Sequence, residues 1–322
     1  MQTASRARIL VRIAASLAAL CLLPLLAFWI KPATILDALA QVSLWHVALG
    51  LVLVQGQIVL SALRWRLAAE RLGQQITAGA AIREYYVASA VNQVVPGGMA
   101  GDVLRAWRMA QDGAGGWQRA ARAVVYERLS GQIAFLALCL VGIPFWPLLP
   151  GAALQAGHHL LLAGAVLTAA VIAAVLLLRR FAGLRDELAE VFVRRGALLR
   201  QGGLSLAVVC GYVALFLVSA DAVGAPLPVA AMVTIVPMTL AAMLIPTGLG
   251  GWGTREAAAA ALWPLAGLSS ASGLSASLLY GALALAGALP GLVILALGRH
   301  PKGARHAHAG RRISVIPSTP NE

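Results

Sequence analysis

Long apolar runs, separated by short basic segments, organise this chain. A helix needs about 20 apolar residues to cross a bilayer, and six runs are close to that length. The predicted spans cover residues 13–30, 45–63, 129–149, 159–178, 204–223 and 274–298. None of these runs alternates apolar and polar residues as the strands of a membrane barrel do. We therefore predict an all-α, polytopic helical membrane protein with about six full spans.

Two further apolar stretches do not form single spans. The stretch 80–110 is broken at Pro96-Gly97-Gly98, and the stretch 227–266 is broken between Pro246 and Gly253. Proline and clustered glycine both stop a helix. Broken backbone at membrane depth is tolerated only where protein or a water-filled cavity surrounds it. Each stretch is therefore predicted to be a re-entrant hairpin made of two half-helices.

Composition excludes the main soluble classes. Of the 322 residues, 60% are hydrophobic and 11% are charged, whereas soluble domains carry about 25% charged residues. Lys and Arg outnumber Asp and Glu by 25 to 12, which gives a net charge of +13. Because the basic residues lie between apolar runs, they indicate orientation by the positive-inside rule and not nucleic-acid binding. The sequence predicts no cofactor and no metal site.

The distribution of charge predicts the topology. The basic residues concentrate in 64–83, 105–128, 179–200 and the segment after 298, whereas 150–158, 224–228 and 267–273 hold no charged residue. With basic segments in the cytoplasm, both termini are cytoplasmic. The first hairpin then enters from the cytoplasm and the second enters from outside.

The same pattern predicts the domain organisation. We expect one integral membrane domain over 1–300, with repeat halves at roughly 45–149 and 204–298. The basic tail 301–322 has no apolar periodicity and is expected to be disordered.

The two breaks share a motif. Pro96–Arg105 and Pro246–Arg255 both fit Pro-x-Gly-apolar-small-Gly-x-x-x-Arg and lie 150 residues apart. An inverted pair of interrupted apolar segments is typical of a transporter substrate site. The N-terminus of a half-helix favours an anion, and Arg105 and Arg255 could pair with the same anion bidentately. The alternative, in which the glycines are kinks that let helices pack closely, stays open.

The candidate substrate-binding residues follow from these two loops and from the charges near them. They are Asn92, Pro96, Gly97, Gly98, Gly101, Asp102, Arg105, Glu127, Arg128, Pro246, Gly248, Gly250, Gly251, Arg255 and Glu256. Asp102 also fits the N-cap of the following half-helix. Glu127 and Arg128 also fit the membrane interface. Glu256 could be a partner for Arg255, or for Arg105 across the repeat. Tyr85 and Trp263 fit an interfacial aromatic belt better than ligand contacts.

These motifs, together with Glu127-Arg128, resemble the lysylphosphatidylglycerol synthase transmembrane, or flippase-like, family. The resemblance runs from the first span to Gly298. It implies an inner-membrane protein that moves or handles lipids with large polar heads, including aminoacylated phosphatidylglycerol, polyprenyl-linked sugars or lipids of hopanoid pathways. The chain ends shortly after the last span, so we expect a stand-alone member without the aminoacyl-transfer domain. Ser130-Gly131 stand where many relatives carry an acid.

The leading hypothesis is a bacterial inner-membrane transporter or flippase for a lipid with an anionic or phosphate-bearing headgroup. One alternative is a non-transporting membrane partner of lipid-biosynthetic enzymes. Another is an intramembrane enzyme that acts on a polyprenyl phosphate. The sequence offers no carboxylate pair at catalytic spacing, no His-Glu metal helix and no Ser/His set, so we predict no catalysis. Membrane lipids are the predicted partners, nucleic acid is not, and the oligomeric state is left open.

Overall fold

The computed structural model describes residues 32–95, 98–112, 116–151, 182–244 and 251–297. Within these ranges every regular element is a helix and there is no strand. Four helices are long and apolar enough to cross a membrane: α2 (Leu44–Arg71), α5 (Gly116–Gly142, continued by a 3₁₀ turn at Ile143–Leu148), α7 (Ala197–Ala222) and α11 (Ser270–Ala296). The prediction of a polytopic helical membrane protein is confirmed.

Each long helix coincides with most or all of one predicted span. Helix α2 is longer than its span. Its 28 residues extend about 42 Å at 1.5 Å per residue, so it continues well beyond the predicted end at residue 63. The predicted spans at 13–30 and 159–178 and the tail 301–322 lie outside the described residues.

Shorter helices connect the long ones. They are α1 (Pro32–Ala40), α3 (Ala78–Val94), α4 (Ala100–Asp112), α6 (Ala182–Phe192), α8 (Val229–Val233), α9 (Ile235–Ala241) and α10 (Thr254–Leu262), with 3₁₀ turns at Arg194–Gly196, Ala242–Leu244 and Trp263–Ala266. The helices are interrupted where the sequence predicted, after Val94 and after Leu244.

Helices α3 and α4 form the first hairpin. The Gly101 amide donates to Asn92 Oδ1 at 2.8 Å, and Arg108 Nε lies 3.2 Å from Glu84 Oε2. Residue numbers rise along α4 as they fall along α3, so the two helices run antiparallel. Gly101 lies so close to α3 that a Cβ there would collide with the Ala88 carbonyl oxygen. Only glycine therefore allows this approach.

Helices α8, α9 and α10 form the second hairpin. Gly251 has a positive φ of 88°. It lies against Met243, which belongs to the 3₁₀ turn that follows α9. The first arm of this hairpin bends at Thr234, where α8 ends and α9 begins. Pro237 explains the bend, because proline lacks the N–H that would continue the helical ladder.

Ion pairs and hydrogen bonds group the helix ends. At one end, named here the basic end, Arg122 of α5 binds Glu187 at 2.7 Å and Arg71 of α2 lies 3.8 Å from Glu190. At the opposite end, the Gly151 amide donates to the Leu265 carbonyl at 2.9 Å. The two ion pairs place the start of α5 and the end of α2 beside α6, at the basic end.

The two hairpins therefore enter the bundle from different ends. The first hairpin begins a few residues after α2 ends and finishes a few residues before α5 begins, so both of its outer ends lie at the basic end. The second hairpin begins after α7 and finishes before α11, at the opposite end, where His46 of α2 binds Asp221 of α7 at 3.1 Å.

An aromatic group fills the core beside the second hairpin. The Phe216 ring of α7 lies 5.5 Å from Trp263 and 5.3 Å from Tyr280, measured between ring centroids. Trp263 is fully buried, so the prediction that it belongs to an interfacial belt is wrong. Its position at the end of an apolar half-helix resembles a belt position in sequence, but the hairpin folds it inward.

Candidate functional site

Arg105 on α4 occupies the centre of a buried ion cluster. Its guanidinium Nη2 lies 2.9 Å from Asp102 Oδ1 and 2.7 Å from Glu127 Oε2. Its Cζ lies 4.9 Å from the Trp65 ring centroid and 4.7 Å from that of Tyr85. Cation–π contacts and charge-assisted hydrogen bonds together stabilise a cation that is 1% exposed.

Glu127 on α5 joins three elements. It is fully buried and accepts hydrogen bonds from Arg64 at 2.6 Å, from Arg105 at 2.7 Å and from the Tyr85 hydroxyl at 3.2 Å. An ionised carboxylate has enough lone pairs for all three donors. Glu127 is therefore not an interface residue, and the interface alternative for it is wrong.

The sequence placed Arg64 in a basic loop and Tyr85 in an aromatic belt, and both interpretations are wrong. Arg64 lies inside α2 and is 4% exposed, with its Nη1 3.4 Å from Ser205 Oγ. Gly131 makes room for it, since a Cβ there would lie 3.0 Å from Arg64 Nη2.

Asp102 and Arg128 form the outer part of the same cluster. Arg128 Nε donates to Asp102 Oδ2 at 2.9 Å, and its Nη2 lies 2.7 Å from the same oxygen. Asp102 is in the first turn of α4 and not at its N-cap, because its carboxylate points to the two arginines. The Arg128 side chain is 42% exposed, whereas the other members of the cluster are buried.

We name these five residues, Arg64, Asp102, Arg105, Glu127 and Arg128, the first ion cluster. Three arginines face two carboxylates, so the cluster carries a net charge of +1. Arg105 Nε and Nη1 have no hydrogen-bond partner among the described residues. The cluster is thus one anion short of neutrality at a position inside the helix bundle.

The start of α4 is capped from within the hairpin. Asn92 Oδ1 accepts from the Gly101 amide, and the amides of Asp102 and Val103 both bond to the Met99 carbonyl at 3.1 Å. These three amides are therefore paired within the described part of the hairpin. The nearest positive charges are the side chains of Arg105 and Arg128.

Arg255 and Glu256 on α10 form a second, smaller cluster. Arg255 Nε donates to Glu256 Oε1 at 3.0 Å and to Ser277 Oγ at 2.9 Å, and its Nη2 also bonds to Glu256. Its Cζ lies 5.2 Å from the Trp252 ring centroid and 4.7 Å from that of Tyr280. As with Arg105, a Trp and a Tyr enclose the guanidinium.

This second cluster is neutral and closed. Arg255 is 1% exposed and Glu256 is fully buried. The other oxygen of Glu256, Oε2, accepts from the Gly253 amide at 2.6 Å, which satisfies the backbone amide of the N-cap at the start of α10. Glu256 is therefore the partner of Arg255 and not of Arg105.

The described residues keep the two clusters separate. No hydrogen bond, ion pair or ring contact joins Arg105 to Arg255 in this part of the chain. The predicted site residues Pro96, Gly97, Pro246, Gly248 and Gly250 lie outside the described residues. Gly98 has a positive φ of 60°, which suits the hairpin turn.

An apolar groove adjoins the first ion cluster. It has a volume of about 380 Å³ and lies between α5 and α7. Ile133, Leu138 and Leu206 are among its apolar lining residues, and Ser130 and Gln201 are polar. The Ser130 hydroxyl donates to the Glu127 carbonyl at 2.7 Å and lies 3.4 Å from Gln201 Nε2. One part of the groove is thus polar and connected to the cluster.

Sequence reasoning missed several members of these clusters, although one signal was available. Gln57, Ser61, Arg64 and Trp65 recur at helical spacing and are all buried in α2. Polar residues on one face of a membrane helix indicate a face that packs on protein. For Ser277 and Tyr280 the sequence shows no comparable signal, because isolated Ser and Tyr are common in apolar helices.

A comparison with curated proteins finds no match to this chain. A family model described as the lysylphosphatidylglycerol synthase TM region matches residues 9–291. The match includes both hairpins, both ion clusters and all four long helices. The chain therefore belongs to the lysylphosphatidylglycerol synthase transmembrane family and is a multi-pass integral membrane protein.

Proposed function

We propose that this protein is a flippase for a lipid with an anionic or phosphate-bearing headgroup, such as a phospholipid, a polyprenyl-linked lipid or a hopanoid-pathway lipid. The observation that carries the proposal is the first ion cluster, with its net charge of +1 and its half-exposed Arg128. The family name, which refers to synthesis of an aminoacylated phosphatidylglycerol, supports a lipid substrate.

The position of the cluster within the bundle supports a transport role. Arg128 lies twelve residues after the start of α5 at Gly116, or about 18 Å along the helix axis. The proposed span 129–149 begins one residue after Arg128, so Arg128 lies at the edge of the apolar part of α5, where a buried charge is costly unless it has a partner. Such a residue is retained where it faces a water-filled cavity or an ionic partner. An anionic headgroup passing through the bundle provides that partner.

The groove between α5 and α7 supports a lipid in preference to a water-soluble anion. An acyl or prenyl chain could lie along its apolar part while the headgroup is at the cluster, because Ser205 lines the groove and its Oγ lies 3.4 Å from Nη1 of Arg64 in the cluster.

The proposed mechanism is alternating access by an inverted repeat. Two hairpins that enter from opposite ends of the bundle favour this mechanism, which is common in transporters built from inverted repeats. The proposal includes six full spans, with those at 13–30 and 159–178, and repeat halves at 45–149 and 204–298. It also places the basic end and both termini in the cytoplasm, with the protein in a bacterial inner membrane.

Arginine variants in proteoliposomes test this function. We expect Arg105→Ala to abolish translocation of labelled phosphatidylglycerol and Arg105→Lys to restore it only partly, because lysine lacks the planar guanidinium that lies against the Trp65 and Tyr85 rings. The control is Arg122→Ala. It removes an arginine whose side chain is 48% exposed and whose ion pair lies at the basic end. Wild-type translocation by the folded Arg105→Ala variant would contradict the proposal and would favour a scaffold for lipid-modifying enzymes.

A further inference from the structure

We propose that Arg128 is the phosphate ligand of the first ion cluster, and that a phosphate oxygen replaces the Asp102 carboxylate on its guanidinium. This inference rests on the proposed function for the source of the phosphate, which is a lipid headgroup. It identifies one arginine among the four in the two ion clusters as the residue that exchanges partners.

Accessibility distinguishes Arg128 from the other arginines. Arg105 and Arg255 are each 1% exposed and lie between a Trp and a Tyr ring. Arg64 is 4% exposed and packs against Gly131. The Arg128 side chain is 42% exposed, and among the described residues its guanidinium binds a single carboxylate oxygen, Asp102 Oδ2. A ligand can therefore reach the Arg128 guanidinium without moving an aromatic ring.

The exchange leaves no carboxylate without a partner. When Asp102 Oδ2 gives up Arg128, its Oδ1 remains 2.9 Å from Arg105 Nη2. A phosphodiester carries one negative charge, so its arrival brings the cluster from +1 to neutrality. The guanidinium fork matches phosphate as well as it matches carboxylate. Phosphate thus replaces one anionic oxygen with another at lower net charge.

The exchange also has a mechanical consequence. Asp102 belongs to the first hairpin, and Arg128 belongs to the long helix α5. Their ion pair is one of the links between these two elements, and Arg105–Glu127 is another. Phosphate binding at Arg128 removes the first link and leaves the second. We expect the hairpin to loosen when the headgroup binds.

The second cluster does not have this property. Arg255 and Glu256 are adjacent residues of one helix, so breaking their pair does not separate α10 from another element. The repeat is therefore asymmetric, with the exchangeable ion pair in its first half.

The experiment uses the full-length protein in dodecyl maltoside micelles, whose detergent contains no phosphate group. Dihexanoyl-phosphatidylglycerol and inorganic phosphate are titrated separately, and binding is followed together with hydrogen exchange of residues 100–112. The variants are Arg128→Gln, which removes the ligand, and Asp102→Asn, which removes its competitor. The matched control is Arg122→Gln, which lies on the same helix, is 48% exposed and also has one carboxylate partner at 2.7 Å.

We expect Arg128→Gln to weaken binding by about tenfold or more, since hydrogen bonds between charged groups are involved. Asp102→Asn should bind more tightly than wild type, and its 100–112 segment should exchange rapidly before any ligand is added. Arg122→Gln should match wild type. In the wild type, ligand should speed exchange of 100–112. Because the two variants are expected to change affinity in opposite directions, misfolding cannot produce the full result.

Wild-type affinity in Arg128→Gln, or a ligand that leaves exchange of 100–112 unchanged, would overturn the inference. Binding of the short-chain lipid but not of inorganic phosphate supports it and identifies the lipid headgroup as the source. Equal binding of both supports it with free phosphate as a source. If Arg128 binds either ligand but the wild type moves no lipid in proteoliposomes, the proposed function fails and the phosphate site stands.

Discussion

Replacing Glu127 with Gln tests whether the first ion cluster holds the bundle together. Glu127 is fully buried and accepts from Arg64, Arg105 and Tyr85. In the variant, three arginines face one carboxylate, and the net charge of the cluster rises from +1 to +2. The carboxamide also offers an NH₂ group to guanidinium donors, with which it cannot form a hydrogen bond.

The expected loss is large because two buried cations lose their shared partner. Removing one member of a buried ion pair costs about 3–5 kcal/mol. The matched control is Glu187→Gln, which removes a carboxylate from the more exposed pair with Arg122. That pair is expected to contribute about 1 kcal/mol or less.

The assay is reversible unfolding of both variants in mixed micelles, followed by tryptophan fluorescence. The combination of Glu127→Gln with Arg64→Gln should recover part of the loss, because it returns the cluster to two arginines and one acid, with a net charge of +1. If Glu127→Gln and Glu187→Gln unfold within about 1 kcal/mol of each other, the cluster does not stabilise the fold and the reasoning is wrong.

Three further predictions concern packing, the second cluster and orientation. Gly101→Val should destabilise the protein by about 1–3 kcal/mol through overpacking against the neighbouring backbone carbonyl, whereas Gly79→Ala, at a position with open space, should not, as thermal unfolding will show. Arg255→Lys should reduce translocation and leave insertion intact, because lysine cannot reproduce the bidentate contact with its carboxylate. Wild-type thermal stability of Gly101→Val would contradict the first prediction, and wild-type translocation by Arg255→Lys would contradict the second. Single cysteines at 267–272 should react with an impermeant maleimide from outside and those at 184–198 should not, and the reverse would overturn the proposed orientation.

Much of the fold could be predicted from the sequence because the membrane allows few solutions. Long apolar runs without alternation require helices, since only a helix satisfies its own backbone in lipid. The interruptions after Val94 and Leu244 were predicted from proline and glycine, which act locally. The presence of an acid near each motif arginine was also visible in the sequence.

The pairing within the clusters could not be predicted, because it depends on which helices lie side by side. Arg64 follows an apolar run and precedes a polar segment, so charge counting assigned it to a loop, although α2 continues through it. The burial of Tyr85 depends on the position of α5. This helix carries the hydrogen-bond partner of Tyr85, Glu127, which is 42 residues away in sequence. The sequence made Asp102 a candidate N-cap, but it lies inside the first turn of α4, where two arginines bind its carboxylate. Asn92 accepts a backbone amide at the helix start instead.

The most direct measurement compares lipid headgroups in proteoliposomes that contain the wild-type protein. Fluorescent phosphatidylglycerol and phosphatidylcholine with identical chains are loaded in both leaflets, and an impermeant quencher reports how fast the inner pool reaches the outer leaflet. The account predicts that the protein accelerates movement of the anionic lipid well above its rate in protein-free vesicles and above that of phosphatidylcholine. The same comparison is repeated with a polyprenyl phosphate probe. If the protein moves neither phosphatidylglycerol nor this probe faster than protein-free vesicles do, the account is contradicted.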